Sequence, residues 1–247
     1  MRSLTAHQIL QLWDICRSQH PIDRGLTLLS FAIPGKSTDE LASLSIGLRD
    51  ACLLKLREVT LGSKMESYAE CPKCGERLEF TLNVDDIRVA PAMTAAKNEY
   101  TLVSEPYQLK FRLPNSKDLA AIVGYKDLNA ARNLIGQRCV LAVMRDGTNI
   151  SYSDLPEVVV TQLAERMAEY DPQAEILLNM NCPACGHDWQ VLFDIVTFFW
   201  SELNVKAKRL LQEVHILARF YSWSEVDILS MSETRRLFYL NLIDGDG

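Results

Sequence analysis

The sequence predicts an α+β, mainly helical chain in which two cysteine-bearing turns flank a long inserted α/β segment. Three observations carry this. Apolar residues recur at helical spacing near both ends of the chain. The phrase Cys-Pro-x-Cys-Gly occurs twice, as "ECPKCGERLEF" from Glu70 and as "NCPACGHDWQVLF" from Asn181, each followed by alternating apolar and polar residues and then Asp-Ile. Between the two phrases lies more than a third of the chain, with strand and helix patterns of its own. The expected divisions are 1–90 (helices and first turn), 91–175 (inserted segment beyond Pro91) and 176–247 (second turn and C-terminal helices).

Thr5-Ala6-His7-Gln8 reads as a capping box, with Ile9, Leu12, Trp13 and Cys16 forming the apolar face behind it and Pro21 marking a stop. An apolar connection through Phe31 follows. Ser37-Thr38-Asp39-Glu40 is a second box, opening one long amphipathic helix through Leu41, Leu44, Leu48, Cys52, Leu56 and Val59 and stopping at Gly62. After the first cysteine turn, Leu78, Phe80, Leu82 and Val84 alternate as a half-buried strand requires. "YQLKFRL" from Tyr107 is the cleanest strand, ended by Pro114 and Asn115, after which Ser116 caps a helical stretch through Leu119, Leu128, Leu134 and Cys139.

Ser153 or Asp154 with Pro156 opens a helix through Leu163, Met167 and Tyr170 that Asp171-Pro172 terminates. "EILLNMN" leads as a strand into the second turn, and Trp189, Val191 and Phe193 lead out. From Ile195 the chain is helical, with Ala207, Leu210, Val214, Leu217 and Tyr221 on one stripe. Ser222-Trp223-Ser224-Glu225 reads as another box and Ser232 as the last cap. Helix, strand, turn, strand thus occurs twice, which suggests an internal duplication.

Composition bounds the function. With 48% hydrophobic and 23% charged residues the chain reads as globular rather than disordered. Its net charge of −6 and pI near 5.3 provide no positive field for a phosphate backbone, so nucleic acid is an unfavoured partner. Neither a secretory leader nor an apolar run long enough for a membrane span is evident, which points to a cytoplasmic setting. Seven cysteines in a reducing compartment favour metal ligation and buried thiols over disulfides.

Two thiols three positions apart around a tight turn bind one tetrahedral zinc; Pro presets the turn and Gly tolerates the conformation after the second thiol. Cys71, Cys74, Cys182 and Cys185 form the closed four-thiolate set of a structural site, one Zn2+ per chain, as the two halves of a zinc ribbon. His187 is the nearest further candidate and is not needed by a complete shell. Cys16, Cys52 and Cys139 read as core residues, His215 as a partly buried structural histidine, and Asp85-Asp86 as a solvated turn. No nucleophile elbow, phosphate loop or zinc-protease motif is present, so catalysis has no visible residue set and no small-molecule substrate is implied. "YSWSEVDILSMSETRRLFYL" offers a helix-turn-helix with Arg235 and Arg236, but acidic residues surround that pair. The second reading is therefore a zinc-ribbon nucleic-acid-binding or transcription-associated adaptor.

The stretches "LLKLREVTLGSKMESYAECPKCGERLEF", "KFRLPNSKDLAAI" and "DPQAEILLNMNCPACGHDW", continued by "LLQEVHILARFYSWSEVDILSMSETRRLFYL", resemble zinc-ribbon proteins of phage-like contractile injection systems. They are similar to the baseplate hub assembly proteins of T-even-type phages, and the last stretch also resembles tail-assembly chaperones. The resemblance implies a non-enzymatic structural part or assembly factor of a baseplate, with other baseplate or hub proteins as partners and a place in a phage-like particle. The aromatic-rich segment from Val205 to Ile243 is then expected to be the docking surface, with Arg235 and Arg236 at its rim.

Overall fold

The computed structural model describes residues 1–89 and 98–245. The boundary expected at Pro91 lies outside the described residues. In chain order the elements begin with α1 (Ala6–Cys16), α2 (Pro21–Ala32), α3 (Thr38–Ala42) and α4 (Ile46–Leu61). A first hairpin, β1 (Lys64–Glu70) and β2 (Arg77–Asn83), is followed by the single turn α5 (Val84–Ile87). The middle of the chain forms β3 (Tyr100–Ser104), β4 (Tyr107–Phe111), α6 (Ser116–Ala121), α7 (Leu128–Cys139), β5 (Val140–Arg145), β6 (Thr148–Asn149) and α8 (Glu157–Tyr170). A second hairpin, β7 (Leu177–Asn181) and β8 (Asp188–Leu192), leads into α9 (Ile195–Tyr221), α10 (Glu225–Ser230) and α11 (Glu233–Gly245).

The mixed, helix-rich class agrees with the expectation from sequence. Both boxes close as expected, Thr5 accepting from the Gln8 N–H and Ser37 from the Glu40 N–H. Four local readings differ. Pro21 opens α2 rather than only ending what precedes it: it sits in the first turn, where its missing N–H costs nothing, and His20 caps it. The single long helix expected from Ser37 is two, because Ser45 caps a new helix at Ile46. Asn115, not Ser116, caps α6, and Ser224, not Ser222, caps α10; Ser222 ends α9 in the left-handed region at φ 56°.

One core joins the two ends of the chain. Leu12, Leu28, Leu29, Leu53, Leu54 and Leu56 from α1, α2 and α4 pack with Phe199, Leu203, Leu210 and Leu217 of α9 and Ile228 of α10. The apolar stripe of 205–243, expected to face a partner, is instead core, and Tyr221, Trp223 and Tyr239 pack against that core in mutual ring contact. Arg236 is buried too, bonded to Glu213 at 2.8 Å and to the Met231 carbonyl, so it cannot serve as a rim cation or reach a DNA groove. Within that aromatic group Phe220 and Phe238 are exposed, at 57% and 60%, and the other three are half-buried. His215 is exposed, not partly buried. Helix α11 runs through Gly245, and residues 246–247 lie outside the described residues.

The middle segment has its own small core. Strands β3-β4-β5-β6 form an antiparallel sheet whose inner residues Leu102, Leu109, Phe111 and Val143 pack against Val159 and Leu163 of α8. The buried Asp118 carboxylate locks its edge, accepting from Arg112 at 2.6 and 2.9 Å and from Arg138 at 2.8 Å. The segment is anchored to the helical body by the Asp171 carboxylate, which accepts from the Gly47 N–H and the Ser45 hydroxyl. Gly47 is required there, since a Cβ would overlap that carboxylate.

Candidate metal centre

Each cysteine phrase sits at the tip of an antiparallel hairpin, and the two tips are built alike. In the first, the Cys71 N–H donates to the Glu76 carbonyl at 2.8 Å and the Gly75 N–H to the Cys71 carbonyl at 2.9 Å. In the second, the Cys182 N–H donates to the His187 carbonyl at 2.9 Å and the Gly186 N–H to the Cys182 carbonyl at 2.8 Å. Gly75 and Gly186 take φ of 77° and 67°, the left-handed region where a side chain is strained. The hairpin bases also match, with Val84 N–H donating to Ser63 and Phe193 N–H to Ile176.

The two tips face each other. Cys71 Sγ lies 3.7 Å from Cys185 Sγ, and Cys74 Sγ lies 3.6 Å from Cys182 Sγ, so the first cysteine of each phrase meets the second of the other. All four sulfur atoms lie within 4.8 Å of one another. A tetrahedral zinc with Zn–S bonds of about 2.3 Å requires sulfur atoms about 3.8 Å apart, so the donor type, number and spacing fit such an ion. A disulfide needs about 2.05 Å, and these are free thiols. The four cysteines can therefore hold a metal ion. Cys71 and Cys182 face inward and are buried, whereas Cys74 is exposed and Cys185 half-buried.

Cys71 and Cys74 differ in how readily they ionise. Burial opposes ionisation of Cys71, but backbone N–H groups of Cys74 and Lys73 and the neighbouring thiols outweigh it and bring this thiol down to about 7. At Cys74 the Glu76 backbone favours the thiolate, yet Cys185, burial and the other two thiols together push it up to about 12. A divalent cation favours the thiolate form of each cysteine it binds. His187 stays outside the cluster, its ring stacked against Trp189 with centroids 6.1 Å apart.

A family model described as T4 bacteriophage base plate protein matches residues 26–200, more than two thirds of the chain. The chain belongs to that family. No curated protein and no solved structure matches it. The matched region of this base plate protein contains all four clustered cysteines and stops early in α9.

Sequence reasoning missed the residue that ties the first hairpin to the helical body. Arg57, 2% exposed, donates to Glu202 of α9 at 2.9 and 2.6 Å and to the Lys64 carbonyl at the start of β1 at 2.6 Å. The only available signal was an arginine beside the apolar stripe of α4; its partner is 145 positions away. The repeated Asp-Ile is not equivalent in the two copies. Asp86 reaches back to the Asn83 N–H, whereas Asp194 is itself the cap of α9. Both isoleucines, Ile87 and Ile195, are buried in the main core. Cys16 and Cys139 are buried as expected, and burial raises their thiols to about 11 and about 12, which removes them as nucleophiles. Among the described residues, no helix is long and apolar enough to cross a membrane.

Proposed function

We propose that this base plate protein is a zinc-clamped, non-enzymatic structural or assembly component of a contractile, phage-tail-like particle, made in the bacterial cytoplasm and acting on other baseplate or hub proteins. Cys71, Cys74, Cys182 and Cys185 hold one structural Zn2+ per chain. The observation that carries this reading is that the family-matched region encloses four thiols which converge from the two ends of that region.

The ion acts here as a cross-link. Two-stranded hairpins are marginal on their own. Joining their tips through one ion contributes folding free energy directly, since the unfolded chain has no preformed site. Four protein thiolates leave no open coordination position for substrate or water, which is the arrangement of a structural rather than a catalytic ion. Zinc thereby closes the ends of the inserted segment against each other and presents it as a rigid unit.

The test is complementation in a cell that makes the particle. Replacing the chain by a Cys71→Ser, Cys182→Ser double variant should leave tubes and sheaths without complete baseplates in electron micrographs. Normal particle numbers with the variant would remove zinc clamping from the function.

A further inference from the structure

Helix α9 has two opposite faces, and the fold covers one of them. Leu203, Ala207, Leu210, Val214 and Leu217 recur every three or four residues and lie in the main core. Half a turn away, Val205, Lys208, Gln212, Ile216, Arg219 and Phe220 are all exposed. This solvent face lies beyond residue 200, outside the family-matched region, and contains none of the four clustered cysteines.

The face has a repeat of its own. Val205 and Ile216 are eleven residues apart, as are Lys208 and Arg219. Eleven residues make about three turns of an α-helix, so the members of each pair lie along one line, about 16 Å from each other. Val205 and Ile216, with Phe220 one turn on, form an apolar row exposed at 68%, 42% and 57%, and the two cations form a second row beside it. The charge is one-sided: residues 203–222 hold four lysines and arginines and a single acid, Glu213, in a chain of net charge −6. Glu213 is buried between Arg209 and Arg236, and Lys206 is paired with Glu233. Among the described residues, Lys208 and Arg219 have no ion-pair partner.

These rows discriminate among occupants. A wholly apolar partner would bury Lys208 and Arg219 without counter-charge, which is costly. A nucleic-acid backbone would pair with the cations but leave the apolar row in water, and it would approach an acidic protein. A second copy of the chain, packed on this face by a two-fold axis, brings the same two rows and no carboxylate. A helix with apolar residues along one line and carboxylates along the next satisfies both.

We propose that the solvent face of α9 is the surface on which another baseplate protein docks an acidic amphipathic helix, apolar side chains covering Val205, Ile216 and Phe220 and carboxylates pairing with Lys208 and Arg219. The proposal rests on the reading that the chain acts on other baseplate proteins; it does not depend on the zinc clamp. The apolar row supplies contact area, and the cations fix the register and orientation of the partner helix.

The probe is a synthetic helical peptide of about three heptads with leucine along one face and glutamate beside it, titrated into the full chain as purified and followed by methyl NMR. Saturable shifts are expected at Val205, Leu211 and Ile216, while Val143 and Leu163 of the insert stay unchanged. The same peptide with glutamine in place of glutamate should bind at least several-fold more weakly. Lys208→Glu with Arg219→Glu should lower affinity at least tenfold; both side chains are exposed, so the variant should fold, and Arg166→Glu on the exposed face of α8 should leave binding as it is. The proposal is overturned by absence of saturable shifts, by equal binding of the glutamine peptide, by full affinity in the charge-reversed variant, or by duplex DNA shifting the same methyls at physiological salt. Self-association of the native chain that the charge reversal abolishes would overturn it too, by giving the face to a second copy. A negative result removes this face as the docking surface and leaves the outcome of the Cys71→Ser, Cys182→Ser complementation unaffected.

Discussion

The inserted sheet and the pair of hairpins that bracket it are held together by different physics. The sheet has four strands, a helix packed on one face and a buried ion-pair lock at Asp118, so its cohesion is carried by its own side chains. Each hairpin has two strands, and the residues it buries, such as Met65 of the first and half-buried Leu178 of the second, lean on the helical body rather than on the other hairpin. Where the two tips meet, four sulfur atoms lie within 4.8 Å of one another. A region rich in apolar contacts coheres without an ion; in the proposed function the two hairpins are joined by one.

The largest expected effect separates the two. Stripping metal with a chelator at neutral pH should collapse amide-exchange protection in 64–83 and 177–192, while 100–111 and 140–145 keep theirs. Apparent zinc-binding free energies in small structural sites run to about 10 kcal/mol, so the loss should be plain. Uniform loss across the sheet would show that the insert depends on the ion as much as the hairpins do.

The reverse break is Asp118→Ala. It removes a fully buried carboxylate and leaves the partly exposed Arg112 and Arg138 without their shared partner, and should cost about 3 kcal/mol in denaturant unfolding without changing bound metal. The pH dependence follows from the sign of its shift. Burial alone would raise this carboxyl, but Arg112, the Asn115 backbone and Arg138 outweigh it and hold it below the ordinary carboxylate value. Its stabilisation is therefore present above the unfolded pKa of about 3.9 and is lost as pH falls through the lower folded value. Native protein should lose more stability in that acid window than the variant; equal acid sensitivity would remove Asp118 as a source of it.

How far the sequence reveals each region follows from how local its determinants are. The capping boxes at Thr5 and Ser37, the turn glycines and the two cysteine pairs are set within a few residues, and all were legible. Strand β5 was not, because the bulge opposite Lys110 and Phe111 breaks its alternation and exposes both Leu141 and Ala142. Arg57 and Arg236 look like surface charges until Glu202 and Glu213 close on them across the fold. The aromatic C-terminal segment looked like a binding surface because composition does not show which face of a helix is covered.

A smaller effect distinguishes the two Asp-Ile copies. Asp194→Ala removes the cap of the longest helix and should cost about 1 kcal/mol. Asp86→Ala affects only the one-turn α5 and should cost less; equal losses would make the two copies equivalent after all. Smallest of all, Arg166→Ala on the exposed face of α8 breaks a solvent-screened pair with Glu169 and should change stability by less than about 0.5 kcal/mol.

The most direct measurement is elemental analysis of the protein purified without chelator, combined with X-ray absorption at the metal edge. One zinc per chain with four sulfur neighbours at about 2.3 Å is the predicted result, reduced to less than half occupancy in Cys71→Ser. Two zinc ions per chain, no bound metal, or a shell containing nitrogen or oxygen would contradict a single clamp made by Cys71, Cys74, Cys182 and Cys185.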